Sequence, residues 1–153
     1  MDLTFRQAKV TDLEEIQELF VETIKNTCKN DYTVEQIDVW ISSIENKERW
    51  MSFLTDQYFI IAENENKIVG FSSLEKGNHV DFMYVHKDFL RKGVANMLFK
   101  KLKDKSIKLG FDKLTADVSK TARPFFENKG FKVIRENKNM IKDVEIINFH
   151  MRQ

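Results

Sequence analysis

The stretch from His79 to Gly110 constrains this chain more than any other. An apolar, strand-like run, His79 to Val85, passes through a short basic loop, His86-Lys87-Asp88-Phe89-Leu90-Arg91-Lys92, to Gly93 and a long Lys-rich helix that Gly110 ends. Val94, Leu98, Leu102 and Leu109 mark one face of that helix and lysines the other. At its start, backbone N–H groups point outward unpaired and the helix dipole favours an anion. Gly93 allows close backbone approach, and Arg91 and Lys92 add positive charge. Two uses fit this turn, a cradle for a pyrophosphate or plain helix capping. The Gly-Lys-Ser/Thr ending of a P-loop is absent, and so is the G-x-G-x-x-G dinucleotide fingerprint.

The rest of the chain supplies a sheet for that unit. Leu3 to Arg6 reads as a first strand. Thr11-Asp12-Leu13-Glu14 reads as a capping box opening a helix through Ile16, Leu19, Phe20 and Ile24 to about Cys28. Thr33-Val34-Glu35-Gln36 reads as a second, opening a helix through Ile37, Trp40, Ile41 and Ile44. A shorter helix covers Lys47 to Leu54. Tyr58–Glu63, Ile68–Leu74 and His79–Val85 form a meander across turns at Asn64–Lys67 and Lys76–Asn78. Leu114–Val118 is a strand, Ala122–Lys129 a short helix, and Phe131–Ile134 with Val144–Met151 a last hairpin. The expected fold is α+β, one domain over residues 1–153, with a mixed, mostly antiparallel, twisted sheet of about seven strands flanked by helices.

With 153 residues, 32% charged and 42% hydrophobic, the chain has globular composition. A net charge of +1 does not advertise nucleic acid, although the Lys-rich helix keeps that reading open with steep salt dependence as its signature. The charge is unevenly spread: residues 2–48 carry 11 acidic against 5 basic side chains, residues 86–108 carry 8 basic against 2 acidic. A basic patch beside an acidic one suits an anionic cofactor and a cationic acceptor, and also suits two solvated helix faces. Cys28 is the one cysteine, so no intrachain disulfide forms. No run reaches the ~18–20 apolar residues that span a bilayer. These features predict a cytoplasmic protein with no membrane partner. Three scattered histidines predict no metal site.

A second run, Ser119-Lys120-Thr121-Ala122-Arg123-Pro124-Phe125-Phe126-Glu127-Asn128-Lys129-Gly130-Phe131, narrows the choice. With Leu90-Arg91-Lys92-Gly93-Val94-Ala95, it resembles the GCN5-related N-acetyltransferase (GNAT) superfamily. That family's cofactor motif is Gln/Arg-x-x-Gly-x-Gly/Ala, matched here by Gly93 and Ala95, with Leu90 departing. Its second motif is Asn-x-x-Ala-x-x-x-Tyr-x-x-x-Gly-Phe, matched by Ala122, Gly130 and Phe131, with Ser119 for Asn and Phe126 for Tyr. The order of elements matches over nearly the whole chain. Asp31–Gln36 with Trp40, Thr121–Glu127 and Val144–Phe149 resemble more narrowly a YafP-like bacterial subgroup.

The resemblance implies an acetyl-CoA site where the sheet splays between its fourth and fifth strands. Pyrophosphate would lie on the backbone of Arg91, Lys92, Gly93, Val94, Ala95 and Asn96, and pantetheine on the main chain of Met83 and Val85. Ser119 and Ala122 would border the pantetheine arm, with Phe125 and Phe126 walling the thioester. Lys100, Lys101 and Lys103 could touch the CoA 3′-phosphate or form a solvated face. Transfer to an amine needs a base, and His79 and Asp81, two apart on one strand, are the candidates, directly or through water. A strand N–H near Met83 or Tyr84 would polarise the carbonyl. Phe126 leaves no catalytic acid assigned. Tyr32 and Trp40 are candidates for the acceptor wall, against a packing role. The implied activity is direct acetyl transfer to a small-molecule or peptide amine; a catalytically weak CoA-binding sensor is the alternative. A homodimer through the sheet edge or last hairpin would be in keeping with the family.

Overall fold

A computed structural model describes all 153 residues. Seven strands form one sheet in the order β1-β2-β3-β4-β5-β7-β6. They are β1 Leu3–Gln7, β2 Tyr58–Asn64, β3 Lys67–Glu75, β4 His79–Val85, β5 Thr115–Ser119, β6 Lys132–Ile141 and β7 Val144–Arg152. Every neighbouring pair is antiparallel except β4 with β5. Five helices cover it: α1 Leu13–Thr27, α2 Val34–Ile41, α3 Lys47–Asp56, α4 Val94–Lys108 and α5 Arg123–Asn128. None is long and apolar enough to cross a membrane.

The sheet separates two cores. On one face, Val94, Leu98, Phe99 and Leu102 of α4 and Phe126 of α5 pack with Val69, Val80, Val85, Ala116, Val118 and Met151. On the other, Ile16, Leu19, Phe20 and Ile24 of α1 join Ile37, Trp50, Leu54, Phe59, Phe71 and Phe82. Helix α4 seats closely on β3 because Gly70 has no side chain. A Cβ there would lie 3.2 Å from Leu98, from Val94 and from the Tyr84 carbonyl.

Two sequence readings need correction. Thr11 does not cap α1. A 3-10 turn, Val10–Asp12, comes first and α1 begins at Leu13. Asp12 accepts from the Lys9 N–H at 2.7 Å and pairs with Arg6 at 2.9 Å, while Arg6 also reaches Glu63 at 2.8 Å. Tertiary charge pairing thus displaced a local cap. Strand β6 continues to Ile141, far past Ile134. Its polar middle, Arg135 to Asn139, hides it from hydropathy, yet β7 pairs it on both sides of a bulge at Ile134, and Lys142-Asp143, both at positive φ, close the hairpin. The Thr33 capping box is present, with Gln36 N–H to Thr33 Oγ1 at 3.1 Å and Thr33 N–H to Gln36 Oε1 at 2.9 Å.

Arg6 holds the Asp12 carboxyl below its ordinary range, chiefly through their hydrogen bonds. A carboxylate favoured by folding stabilises above its unfolded pKa, about 3.9, and loses that contribution as pH falls through the folded value. Asp12→Ala should therefore lower stability by about 1–2 kcal/mol at pH 7. Urea melts of both proteins should converge as the pH drops below about 4.

Candidate active site

The centre of the molecule is a gap in the sheet. Strands β4 and β5 pair at two positions, His79 with Thr115 and Val80 with Ala116, and then separate. His86 N–H donates to the Val69 carbonyl at 2.8 Å, which fixes the alternation of the antiparallel β3–β4 ladder. Tyr84 and Phe82 therefore turn their main-chain groups to β3, and Met83 and Val85 turn theirs into the gap, where no strand meets them. An extended chain carrying amides can complete that edge. Of these two residues, Met83 and not Tyr84 has its N–H turned to the gap.

At the open end stands the Gly93 turn. Gly93 is left-handed, at φ 83°, and Arg91 likewise, at φ 61°. The first intrahelical donor to Gly93 is Met97, so the N–H groups of Gly93, Val94, Ala95 and Asn96 have no acceptor in the chain. Four free donors at the positive end of a fifteen-residue helix form an anion site in which side chains are secondary. Hence Leu90, 44% exposed, stands at its edge without disrupting it. Lys92 lies over the Phe89 ring at 5.5 Å. Lys100 is paired with Asp104 at 2.8 Å, and Lys103 donates to Gln153 and the Asp112 carbonyl at 2.6 Å, so these two lysines are engaged within the chain.

From this turn a cavity of about 1240 Å³ runs between the two helical layers. Leu90, Ala95, Met83, Val85, Ser119, Ala122, Phe125 and Phe126 line its anion-site half. Ser119 Oγ accepts from the Ala122 N–H at 3.1 Å and shapes the turn into α5. Phe126 is 3% exposed, at edge-to-face contact with Phe125 and Phe131, so it is core as well as wall. The other half is aromatic and charged, with Trp40, Phe53, Phe82 and Tyr84 beside Glu75, Asp81 and Arg49.

The two candidate bases lie in different surroundings. A bulge interrupts β4: Ser73 pairs with Phe82 and Leu74 with Val80, leaving Asp81 without a β3 partner. Asp81 lines the cavity and accepts from Gln57 Nε2 at 2.7 Å. Burial pushes its carboxyl up, against the lowering effect of that hydrogen bond. His79 turns instead toward β5 and β7. Its Nδ1 is 2.8 Å from Thr115 Oγ1, its Nε2 is 3.5 Å from Asp117, and its ring stacks on His150 at 6.5 Å. It stands outside the cavity lining. Two-residue spacing did not bring the pair together, because strand alternation fails at a bulge.

Tyr32 lines the cavity but is tied down. Its hydroxyl donates to the Ile147 carbonyl at 2.7 Å and accepts from the Lys120 N–H at 2.9 Å, stitching the loop before α2 to β7 and to the turn after β5. Its edge-to-face partner Trp40, at 5.3 Å, is half-exposed to the cavity. Burial pushes the Tyr84 phenol well up. Sequence reasoning passed over Glu75, Gln57, Arg49 and the hairpin residues Lys138 to Lys142. No motif marks them, because they come to the site by tertiary packing rather than by local spacing.

The model of the Acetyltransferase (GNAT) domain family matches residues 28–152. The chain is 29% identical over 152 residues to the uncharacterized N-acetyltransferase YafP of Escherichia coli K12, covering 99% of this chain and 95% of YafP. A GCN5-related N-acetyltransferase from Rhodopseudomonas palustris superposes with a TM-score of 0.95 at 27% identity, over 100% of this chain and 96% of that one. The PaiA N-acetyltransferase of Thermoplasma acidophilum, solved in complex with coenzyme A, has the same fold at a TM-score of 0.82 and 21% identity, over 100% and 99%.

A carboxyl whose pKa is raised by folding stabilises the protein fully below its unfolded pKa and loses that contribution as pH rises through the folded value. Asp81 is such a group, so its ionisation costs stability at neutral pH. Asp81→Asn, which keeps an acceptor for Gln57, should raise stability at pH 7 by about 1 kcal/mol, or about 2–4 °C in Tm. The gain should vanish in melts below pH 4.

Proposed function

The chain belongs to the GNAT acetyltransferase family, and from that premise we propose that it transfers acetyl from acetyl-CoA directly to a primary amine while both are bound. One observation carries the proposal: a single cleft reaches from Leu90 and Ala95, beside the free N–H groups at the start of α4, past the unpaired edge at Met83 and Val85 to the half that holds Asp81. The residues fit the co-substrate. Four N–H donors with Arg91 and Lys92 suit a pyrophosphate, and the β4 edge suits the amides of a pantetheine arm. Ser119, Ala122, Phe125 and Phe126 suit its apolar end. Coenzyme A bound to the PaiA relative supports the same assignment. Bound acetyl-CoA supplies an acyl group activated as a thioester.

The chain's own residues do the rest. Asp81 takes the proton of the arriving ammonium, a role that its raised proton affinity favours. The Met83 N–H faces the gap and offers a hydrogen bond where negative charge builds on a carbonyl oxygen. Phe126 has no proton to give and the Tyr32 hydroxyl is committed to main chain. A thiol of ordinary pKa near 8.5 leaves without help from an acid. His79 orders the closed end of the gap through Thr115 and Asp117. Trp40, Phe53 and Tyr84 suit an acceptor with an apolar or aromatic body, and the acidic lining suits its ammonium.

Calorimetry should find one acetyl-CoA site per chain. A mass-spectrometric screen should find acetylation of primary alkylamines with an aromatic or apolar body in preference to hydrophilic ones. Asp81→Asn should keep acetyl-CoA binding and lower kcat/KM by about 10²–10⁴. Binding without transfer to any amine or peptide would assign the protein as a CoA-responsive module instead. No binding at millimolar acetyl-CoA would overturn the proposal.

A further inference from the structure

Gln57 lies where α3 passes into β2, behind the cavity wall rather than in it. Its Nε2 donates to Asp81 Oδ2 at 2.7 Å and reaches Glu75 Oε2 at 3.4 Å, so one neutral amide touches both carboxylates from the protein side. Glu75 and Asp81 line the cavity; Gln57 does not. The Gln57 Oε1 atom is buried and has no hydrogen-bond partner. The backbone at this point is fixed, since the Gln57 N–H closes α3 on the Phe53 carbonyl at 3.1 Å. The bulge leaves Asp81 without a cross-strand partner in β3, and Gln57 makes the one hydrogen bond that its carboxylate accepts.

We infer that Gln57 is a positioning residue for acetyl transfer, aiming the Asp81 carboxylate into the cleft and setting how readily it takes and returns a proton. This inference rests on the reading of Asp81 as the base. In the step concerned, an N–H bond of the acceptor's ammonium breaks and an O–H bond forms on Asp81. The electron pair of the broken bond stays on nitrogen, and the proton later leaves Asp81 for solvent through the cleft. The carboxamide serves both states of Asp81. Nε2 donates to the carboxylate, and after half a turn about χ3 the partnerless Oε1 accepts from the carboxylic acid. The charges facing Asp81 are Glu75 on β3, which holds its proton affinity up, and His79 on β4 and Arg49 on α3, which draw it down. The Gln57 hydrogen bond also draws it down, so losing that bond makes Asp81 harder to ionise.

The test is the pH dependence of kcat/KM for Gln57→Leu and Gln57→Glu, beside the wild type and Asp81→Asn, with whichever amine the screen selects. Gln57→Leu should move the acidic limb of the profile to higher pH. Activity below that limb should fall about tenfold, the scale of a lost hydrogen bond to a charged group, and recover toward wild type in alkaline buffer. Gln57→Glu, nearly the same shape but adding a third negative charge, should move the limb further the same way. If leucine prevents folding, as melts would show, the glutamate variant carries the test. A loss uniform across pH, with the limb in place, would overturn the inference and leave Gln57 a packing residue. Full activity in Asp81→Asn would overturn the base assignment first, and that outcome is distinct because it does not depend on Gln57.

Discussion

The two residue pairs that join β4 to β5 are the constraint on which the site depends. If the ladder ran on past Val80 and Ala116, the main chain of Met83 and Val85 would be satisfied within the sheet and no gap would open. It stops because the strands belong to different packing problems. β4 is held on its other side by β3, with α4 seated on both through Gly70. β5 is held by β7, and its exit is pinned by Tyr32 through the Lys120 N–H. Each of the two strands has a full antiparallel partner on its other side, so the seam between them can stay open along one edge. Unpaired main-chain groups are costly when buried, and here they face a cleft that water or a ligand can fill.

The same cleft collects charges that a core would exclude. Asp81 is driven toward its neutral form by burial, and its neighbour Glu75 adds to that drive. Arg49 and Gln57 work against it. A carboxyl in that balance is a poor contributor to stability and a useful acceptor of protons, because its affinity is lifted toward the range in which it exchanges readily. The ion pair at the entry of α1 has the opposite character. Arg6 with Asp12 and Glu63 joins β1 to β2 and to the entry of α1, and it depresses the aspartate rather than raising it.

Much of this was readable residue by residue. β4 was placed from His79 to Val85, and α4 from Val94 with Gly93 before it, because strand hydropathy and a glycine at positive φ are local properties. The Thr33 box was legible for the same reason, since both its hydrogen bonds lie within four residues. The Thr11 box fails because Asp12 pairs with Arg6 of β1 and caps the preceding turn at the Lys9 N–H, so α1 begins only after that turn, at Leu13. The polar half of β6 was missed because pairing with β7, not burial, makes it a strand. Gln57 was invisible: an amide at a helix end has no signature, and its role exists through two carboxylates eighteen and twenty-four residues away.

The amino-acid sequence by itself determined the periodicities, caps and turns, and so the list of elements and the anion-ready start of α4. These depend on contacts within a few residues, and propensity and hydropathy carry them. Tertiary structure alone decided where β4 and β5 part and which of the two candidate bases enters the cleft. A one-residue bulge opposite Ser73 and Leu74 sent Asp81 toward Gln57 and left His79 with Thr115 and Asp117. Strand alternation is a rule about unbroken pairing, and the partner strand, not the strand's own residues, determines where pairing breaks.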